Sequence, residues 1–348
     1  ISCPCALVVS IPLGYFGGIG AASKNGILFK GSNFLDLITQ VDALVVDKTG
    51  TLTEGVFKVK EVAVAPGTAV TKEELLRLTA AIEAHSNHPI AKAIEEFAAG
   101  DMVHLPISDV EEVPGLGLKG TVNGQQLLVG NTRLLERYSV DFPSVLHQIT
   151  ETLVVVAMNS RYVGHITISD VIKEGAINTF EEIRRLGIRK IVMLSGDRKS
   201  VVDSVAQKLA ITDAFGELMP EDKVHHVEAL KKQGYSVAFV GDGINDAPVI
   251  TLADVGIAMG GLGSDAAIET ADVVIQNDQP SKLITAIRIG RKTRQGVWQN
   301  IGMAFGVKAL VLVLGGFGVA SLWEAVFADV GVALLAIFNA MRIQNMKF

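Results

Sequence analysis

Asp47-Lys48-Thr49-Gly50-Thr51-Leu52-Thr53 closes a short apolar run from Val41 to Val46. Such a run reads as a strand buried on both faces of a parallel sheet. Open α/β sheets keep their ligand sites at the carboxyl ends of these strands, where Asp47 falls. Gly50 permits a tight turn, and Thr49, Thr51 and Thr53 offer hydroxyl and backbone donors suited to phosphoryl oxygens. The bland alternative is a polar turn after a strand.

The same heptapeptide resembles the phosphorylation motif of the P-type ATPases, a branch of the haloacid dehalogenase-like superfamily. The resemblance implies an α/β, Rossmann-like phosphorylation domain with Asp47 as phosphate acceptor. Composition bounds what that can mean. The 348 residues are 49% hydrophobic, enough for two soluble domains plus a minority of membrane sequence. The net charge of −6 and the absence of a basic run argue against a nucleic-acid partner. Cys3 and Cys5 stand too close for a structural disulfide, so nothing points to an oxidising compartment. The chain begins with Ile and carries no signal-peptide pattern, which reads as a piece of a longer protein.

From Ile1 to about Ala22 the chain is apolar and Gly-rich, as in most of a membrane helix. Residues two apart point about 200° apart on a regular helix, so Cys3 and Cys5 converge on one ion only if Pro4 breaks it. Cys-Pro-Cys upstream of the Asp47 motif resembles the heavy-metal-transporting P-type ATPases. Small apolar packing at a helix interface is a reasonable reading of either Cys alone and a poor one of the pair flanking Pro4. Lys24 and Lys30 place the far end in the cytoplasm, and an amphipathic stretch from Ser32 to Thr39 leads to the strand before Asp47.

Residues 56–165 read as an inserted domain, with strands at Val59–Val64, Gln126–Val129 and Leu153–Met158 and helices at Lys72–Ala84 and Pro89–Ala99. The strand–helix alternation of the first fold is expected to resume at Ile166. Ser86-Asn87-His88-Pro89 opens a helix one turn after Glu83, and Val113-Pro114-Gly115-Leu116-Gly117 is a turn that allows close backbone approach. A surface His and a hairpin turn are the plain readings. In context the segments resemble the nucleotide-binding signatures of the heavy-metal pumps, which implies that Glu83, His88, Gly115 and Gly117 hold ATP.

After Asp170, a helix is expected from Lys173 to Leu186 and a strand over Lys190–Leu194, ending in Ser195-Gly196-Asp197. The family carries Thr at position 195, and Ser keeps the hydroxyl. Lys223 opens a helix after Met219-Pro220, where its ammonium would offset charge on Asp47 and phosphate. The strand Ser236–Val240 delivers Asp242 and Asp246 on Gly-rich backbone, a set that with Asp47 and Thr49 suits Mg²⁺. Related phosphatases carry a second Asp as general acid–base where Thr49 stands, so the aspartyl-phosphate should persist. In the family the hydrolytic base comes from a Thr-Gly-Glu loop of an actuator domain, a tripeptide not found here.

Arg288, Arg291, Lys292 and Arg294 precede an apolar run, Ile301 to Val319, and a second run from Ala325 to Met341 is closed by Arg342 and Lys347. This reads as a helical hairpin with both ends cytoplasmic. Lys308 and Asp329 inside it would each cost about 3 kcal/mol at mid-bilayer unless paired or solvated. At the helical rise they lie about 20 and about 12 Å from the turn, a difference a Lys side chain can span. A structural ion pair is one reading. The other is that Asp329 joins Cys3 and Cys5 around the transported ion and Lys308 balances the charge, since two thiolates, a carboxylate, a divalent ion and one ammonium sum to zero. Thiolates with a carboxylate suit Zn²⁺, Cd²⁺ or Pb²⁺ better than Cu⁺. The Lys and Asp resemble the Zn/Cd/Pb pumps and not the copper pumps, and Glu324 near the outer turn reads as a solvated acid.

The expected organisation is therefore a transmembrane helix (1–30), a phosphorylation domain in two segments (31–55 and 166–285), an inserted α+β nucleotide-binding domain (56–165) and a linker helix with two transmembrane helices (286–348). The resemblance implies an integral protein of the cell membrane with cytoplasmic catalytic domains, using ATP and Mg²⁺ to export Zn²⁺, Cd²⁺ or Pb²⁺. An actuator domain and earlier helices are expected ahead of residue 1. The alternatives are a Cu⁺ exporter, or a fragment acting as a phosphatase or nucleotide-binding regulator.

Overall fold

Two sheets organise the computed structural model, which describes residues 5–86, 88–98, 105–149, 151–260, 265–319 and 321–346. The first seven-stranded sheet comprises β1 (Ile27–Phe29), β2 (Ala43–Asp47), β9 (Lys190–Leu194), β10 (Asp213–Phe215), β11 (Val237–Gly241), β12 (Val255–Met259) and β13 (Val273–Ile275). The second holds β3 (Thr53–Val64), β4 (Ile107–Val113), β5 (Gly117–Val122), β6 (Gln125–Gly130), β7 (Thr152–Met158) and β8 (Arg161–Ile172). The helices are α1 (Cys5–Lys24), α2 (Ser32–Gln40), α3 (Lys72–Glu83), α4 (Pro89–Ala98), α5 (Thr132–Arg137), α6 (Ala176–Arg185), α7 (Lys199–Lys208), α8 (Pro220–Lys232), α9 (Ala247–Leu252), α10 (Asp265–Thr270), α11 (Lys282–Gly316) and α12 (Leu322–Gln344).

The first sheet runs β1-β13-β12-β11-β2-β9-β10, parallel throughout except for β1. From β2 the chain order proceeds outward in both directions, so the crevice lies beyond the carboxyl ends of β2 and β11. Ala43 to Val46 are at most 3% exposed, as a strand covered on both faces requires. Val45, Val192 and Phe239 pack against Val227 and Leu230 of α8 and Val249 and Ile250 of α9. Each such side chain contributes about 1.5–3 kcal/mol of burial. That rigid layer fixes where the strand ends point.

The second sheet is antiparallel, in the order β3-β8-β7-β6-β5-β4. Leu127 and Val129 face Leu75, Leu78 and Ile82 of α3 and Ile94 of α4, while Leu128 turns to the opposite face with Leu134 and Leu135 of α5. This unit spans Thr53–Ile172, and the remainder, Ile1–Leu52 with Lys173–Phe348, forms the other.

Two expectations are corrected. Ile166 and Asp170 do not reopen the first fold, because β8 stays hydrogen-bonded to β3 as far as Ile172 opposite Thr53. The helix expected from Lys173 begins at Ala176, since Lys173 is drawn to the carbonyl of Gly50 and Gly175 takes a left-handed turn (φ +76°) before the first helical residue. Strands β4 and β5 carry no clear strand pattern in the sequence, because Asp109, Glu111 and Glu112 break the apolar alternation of an exposed strand pair.

In the first unit, α11 and α12 are each long and apolar enough to cross a membrane. The first half of α11 is buried at Leu283, Ile287, Thr293 and Val297, whereas Phe305, Leu310, Leu312 and Val313 further along are exposed. Phe327, Leu335 and Phe338 of α12 are exposed likewise, an apolar surface suited to lipid or further helices. Helix α1 packs tightly on both: a Cβ on Gly17 would stand 2.8 Å from the Ala340 carbonyl oxygen, and one on Gly18 2.3 Å from Thr293 Oγ1.

Candidate active site

Asp47 is the last residue of β2 and is 6% exposed. The turn after it is closed by the Leu52 amide donating to the Lys48 carbonyl (2.9 Å). Gly50 takes φ +70°, and a Cβ there would lie 1.6 Å from Asp242 Oδ2. The turn thus needs Gly both for its left-handed backbone and for the approach of β11's acidic loop. Lys173, itself buried, donates to the Gly50 carbonyl and pairs with Asp278 at 2.8 Å, and Lys48 pairs with Asp197 at 2.7 Å. Thr49 is exposed on the turn, while the Thr51 hydroxyl is buried without a partner among the described residues.

Lys223 arrives from the first turn of α8. Pro220 starts that helix, and the Asp222 carboxylate accepts from the Met219 amide (2.9 Å), fixing its beginning. The Lys223 ammonium then lies 2.5 Å from Asp47 Oδ1 and 2.7 Å from Asp246 Oδ1. Asp242 follows β11 directly, and carboxylate oxygens of Asp47, Asp242 and Asp246 lie within 4.8 Å of one another. Ser195 follows Leu194, the residue paired with Asp47 across β2 and β9, and its Oγ accepts from the Asp197 amide (3.1 Å).

Three carboxylates so close repel. Burial, then the charge of Asp246, raises the Asp47 pKa to about 7 against the opposing pull of Lys223, and burial with Asp246 raises Asp242 to about 6. Burial works against the Lys223 ammonium, but the two carboxylates outweigh it and its pKa is raised. One ammonium cannot neutralise three carboxylates. A divalent cation fits the donor set of three carboxylates that converge there.

In the antiparallel unit, Glu83 ends α3 and is 8% exposed, with its pKa raised to about 7 by burial and then by Glu95. His88 is exposed immediately before α4, and its Nδ1 accepts from the Ile90 amide (3.2 Å). With Nδ1 accepting, the neutral ring carries its proton on Nε2 and presents a donor outward. Gly115 (φ +71°) and Gly117 (φ +142°) form the turn between β4 and β5. A Cβ on Gly117 would meet the Val129 carbonyl oxygen at 2.2 Å, so β6 must pass close.

Sequence reasoning missed what holds these pieces. Asn131 donates to the Gly115 carbonyl (3.0 Å) and caps α5 by accepting from the Leu134 amide (3.2 Å), and Gly130 faces Gly117 across the strands. An Asn before a short helix carried that signal. Lys173 and Asp278 carried none, being brought to Gly50 only by the fold. Cys3 lies outside the described residues, and of Cys5 only the backbone, the start of α1, is described. Lys308 on α11 and Asp329 on α12 are both half-buried.

The haloacid dehalogenase-like hydrolase family matches residues 41–254. The chain is 52% identical, over its whole length and 49% of the relative, to a cadmium, zinc and cobalt-transporting ATPase of Bacillus subtilis. It is 54% identical to a zinc-transporting ATPase of Synechocystis sp., covering 99% of this chain and 47% of that one. The chain thus spans about half the length of the curated relatives it matches. A crystal structure of a zinc-transporting PIB-type ATPase in an E2.Pi state superposes with a TM-score of 0.90 at 35% identity, over 98% of this chain and 56% of that one. The catalytic domain of the CPx-ATPase CopB-B is 31% identical with a TM-score of 0.62, over 76% of this chain and 97% of that domain.

Proposed function

Because the chain belongs to the haloacid dehalogenase-like hydrolases and, within them, to the heavy-metal P-type ATPases, we propose that it is the catalytic and partial membrane portion of a pump that exports Zn²⁺ and Cd²⁺ through an aspartyl-phosphate on Asp47. The observation that carries the reading is Lys223 bridging Asp47 and Asp246 at a strand end. In that reading an Asp47 carboxylate oxygen attacks the γ-phosphorus of ATP, the bond to the β–γ bridging oxygen breaks, and ADP leaves with that oxygen. Lys223 offsets charge on the nucleophile and on the incoming phosphoryl oxygens, and the Ser195 and Thr51 hydroxyls donate to those oxygens. Mg²⁺ held by Asp47, Asp242, Asp246 and the Thr49 position would supply further charge compensation. Exposed Thr49, where a phosphatase carries its acid–base, leaves the phosphoenzyme long-lived enough to drive a change of shape.

Glu83, His88, Gly115 and Gly117 are assigned to ATP, with Asn131 steadying the glycine turn. For the transported ion the support is helix register. Leu7 of α1 packs in one layer with Ala304 of α11 and Val332 of α12. Lys308 is four residues beyond Ala304 and Asp329 three before Val332, so both lie about one turn beyond that layer, on the side of the first residues of α1. Cys3, Cys5 and Asp329 are assigned as ligands, with Lys308 as the counter-charge. Zn²⁺ and Cd²⁺ agree with the names of the relatives, and Pb²⁺ rests on thiolate softness and on the resemblance of Lys308 and Asp329 to the Zn/Cd/Pb pumps. The assignment places the hairpin in the cell membrane with both sheets cytoplasmic and an actuator domain supplied by the rest of the pump.

The test is phosphorylation from γ-labelled ATP in membranes containing the complete pump. Zn²⁺ and Cd²⁺ should stimulate an acid-stable label. Stimulation by Cu⁺ and not by Zn²⁺ would replace this reading with the copper-exporter alternative.

A further inference from the structure

A cavity of about 340 Å³ opens between the cytoplasmic ends of α11 and α12, lined by Lys292, Gln295, Gln299, Arg342, Ile343 and Met346. None of these residues belongs to the phosphorylation, nucleotide or ion site described above. Its two cations contact only amide oxygens among the described residues: Lys292 Nζ lies 3.3 Å from Gln295 Oε1, and Arg342 Nη2 lies 3.4 Å from Gln299 Oε1. Lys24, whose Nζ donates to the Gln344 carbonyl at 3.4 Å, adds a third positive charge on the same end of the bundle.

The depth of this cavity is set by its neighbours. Trp298 on α11 is 61% exposed, as expected of an indole at a membrane interface, and Phe338 and Met341 on α12 are exposed on the apolar side. Lys292 lies six residues before Trp298, about 9 Å further toward the cytoplasm at the helical rise. That is headgroup depth. Two cations, two amides and an apolar floor of Ile343 and Met346 match a phosphodiester joined to a glycerol and acyl chains.

We infer that this cavity binds the phosphate of an anionic glycerophospholipid from the cytoplasmic leaflet, tying the hairpin to the membrane surface where α11 leaves it. The inference rests on the reading of α11 and α12 as membrane-spanning. The shared chemistry is a phosphate group, and lipid is favoured over free phosphate by the apolar floor and the depth.

The experiment places the complete pump in nanodiscs of phosphatidylcholine with a minor share of phosphatidylglycerol and measures retained lipid by native mass spectrometry. Selective retention of phosphatidylglycerol is expected. The Lys292→Gln/Arg342→Gln variant should bind it about 30-fold more weakly, as about 1 kcal/mol per basic residue implies. A control variant, Lys208→Gln/Lys232→Gln, removes the same charge elsewhere and should retain lipid like the wild type. Equal retention by the cavity variant and the wild type would overturn the inference, as would loss of retention in both variants. Inorganic phosphate raising the thermal stability of the wild type but not of the cavity variant, without lipid retention, would make this a free-anion site and overturn the lipid assignment. Failure to enter nanodiscs would overturn the membrane reading and the inference together, whereas entry without selective retention overturns the inference alone.

Discussion

Gly50 and Asp242 are in contact so close that a methyl group on the glycine would stand 1.6 Å from the carboxylate oxygen Oδ2. The turn bearing the nucleophile and the loop bearing the acidic pair are thereby packed against each other by the absence of a side chain. Gly50→Ala must both strain a left-handed backbone, at about 1–2 kcal/mol, and push Asp242 out of the cluster. The expected result is a modest loss of thermal stability with near-complete loss of phosphoenzyme. Phosphorylation falling only in proportion to the folded fraction would show that the Asp242 position is not critical.

His88 has a structural duty that must be separated from its assigned one. Its ring nitrogen accepts from the first turn of α4, so His88→Ala removes a cap worth about 0.5–2 kcal/mol along with the imidazole. His88→Asn keeps an acceptor at the cap. Calorimetric titration with ATP should show weakened binding in both variants, while unfolding should show lost stability mainly in the Ala variant. Wild-type ATP affinity in the Asn variant would remove the imidazole from the nucleotide site.

How much of this was legible in the chain depends on distance in sequence. The Asp47 strand, the turn at Gly50 and a pair of long apolar helices are written locally, as an apolar run, a glycine and two longer apolar runs. The strand and the turn take their expected form, whereas the linker helix expected from residue 286 is continuous with the first apolar helix in α11. Bringing Lys223 to Asp47, 176 residues away, could be expected only from the resemblance, since no local pattern encodes it. The Lys173–Gly50–Asp278 clamp was illegible for the same reason and had no motif to announce it. The apolar periodicity after Lys173 makes it read as helix, whereas the fold uses its charge. The long partner strands β3 and β8 also defeated a local reading, because Gly55 and Asp170 look like strand ends when the ladder pairing them is unseen.

Asp329 and Lys308 offer a test by contrast. If Asp329 ligates the ion and Lys308 balances it, Asp329→Ala should abolish Zn²⁺-stimulated turnover, because two thiolates leave the ion under-coordinated. Lys308→Ala should instead keep Zn²⁺ bound but slow its release, since the loaded site stays at −1. A merely structural pair predicts similar losses of stability in each variant and partial recovery in the double variant. Zinc stoichiometry and turnover in detergent distinguish the two. Normal values in Asp329→Ala would remove it as a ligand.

The central claim is that Asp47, held by Lys223, accepts the phosphoryl group. Its most direct measurement is acid-stable, hydroxylamine-labile labelling from γ-labelled ATP in the Asp47→Asn variant of the complete pump, beside nucleotide binding in the same preparation. The amide keeps the carboxylate's shape but is no nucleophile at neutral pH. The account predicts nucleotide binding close to wild type with no label above background. Wild-type labelling in Asp47→Asn would contradict it.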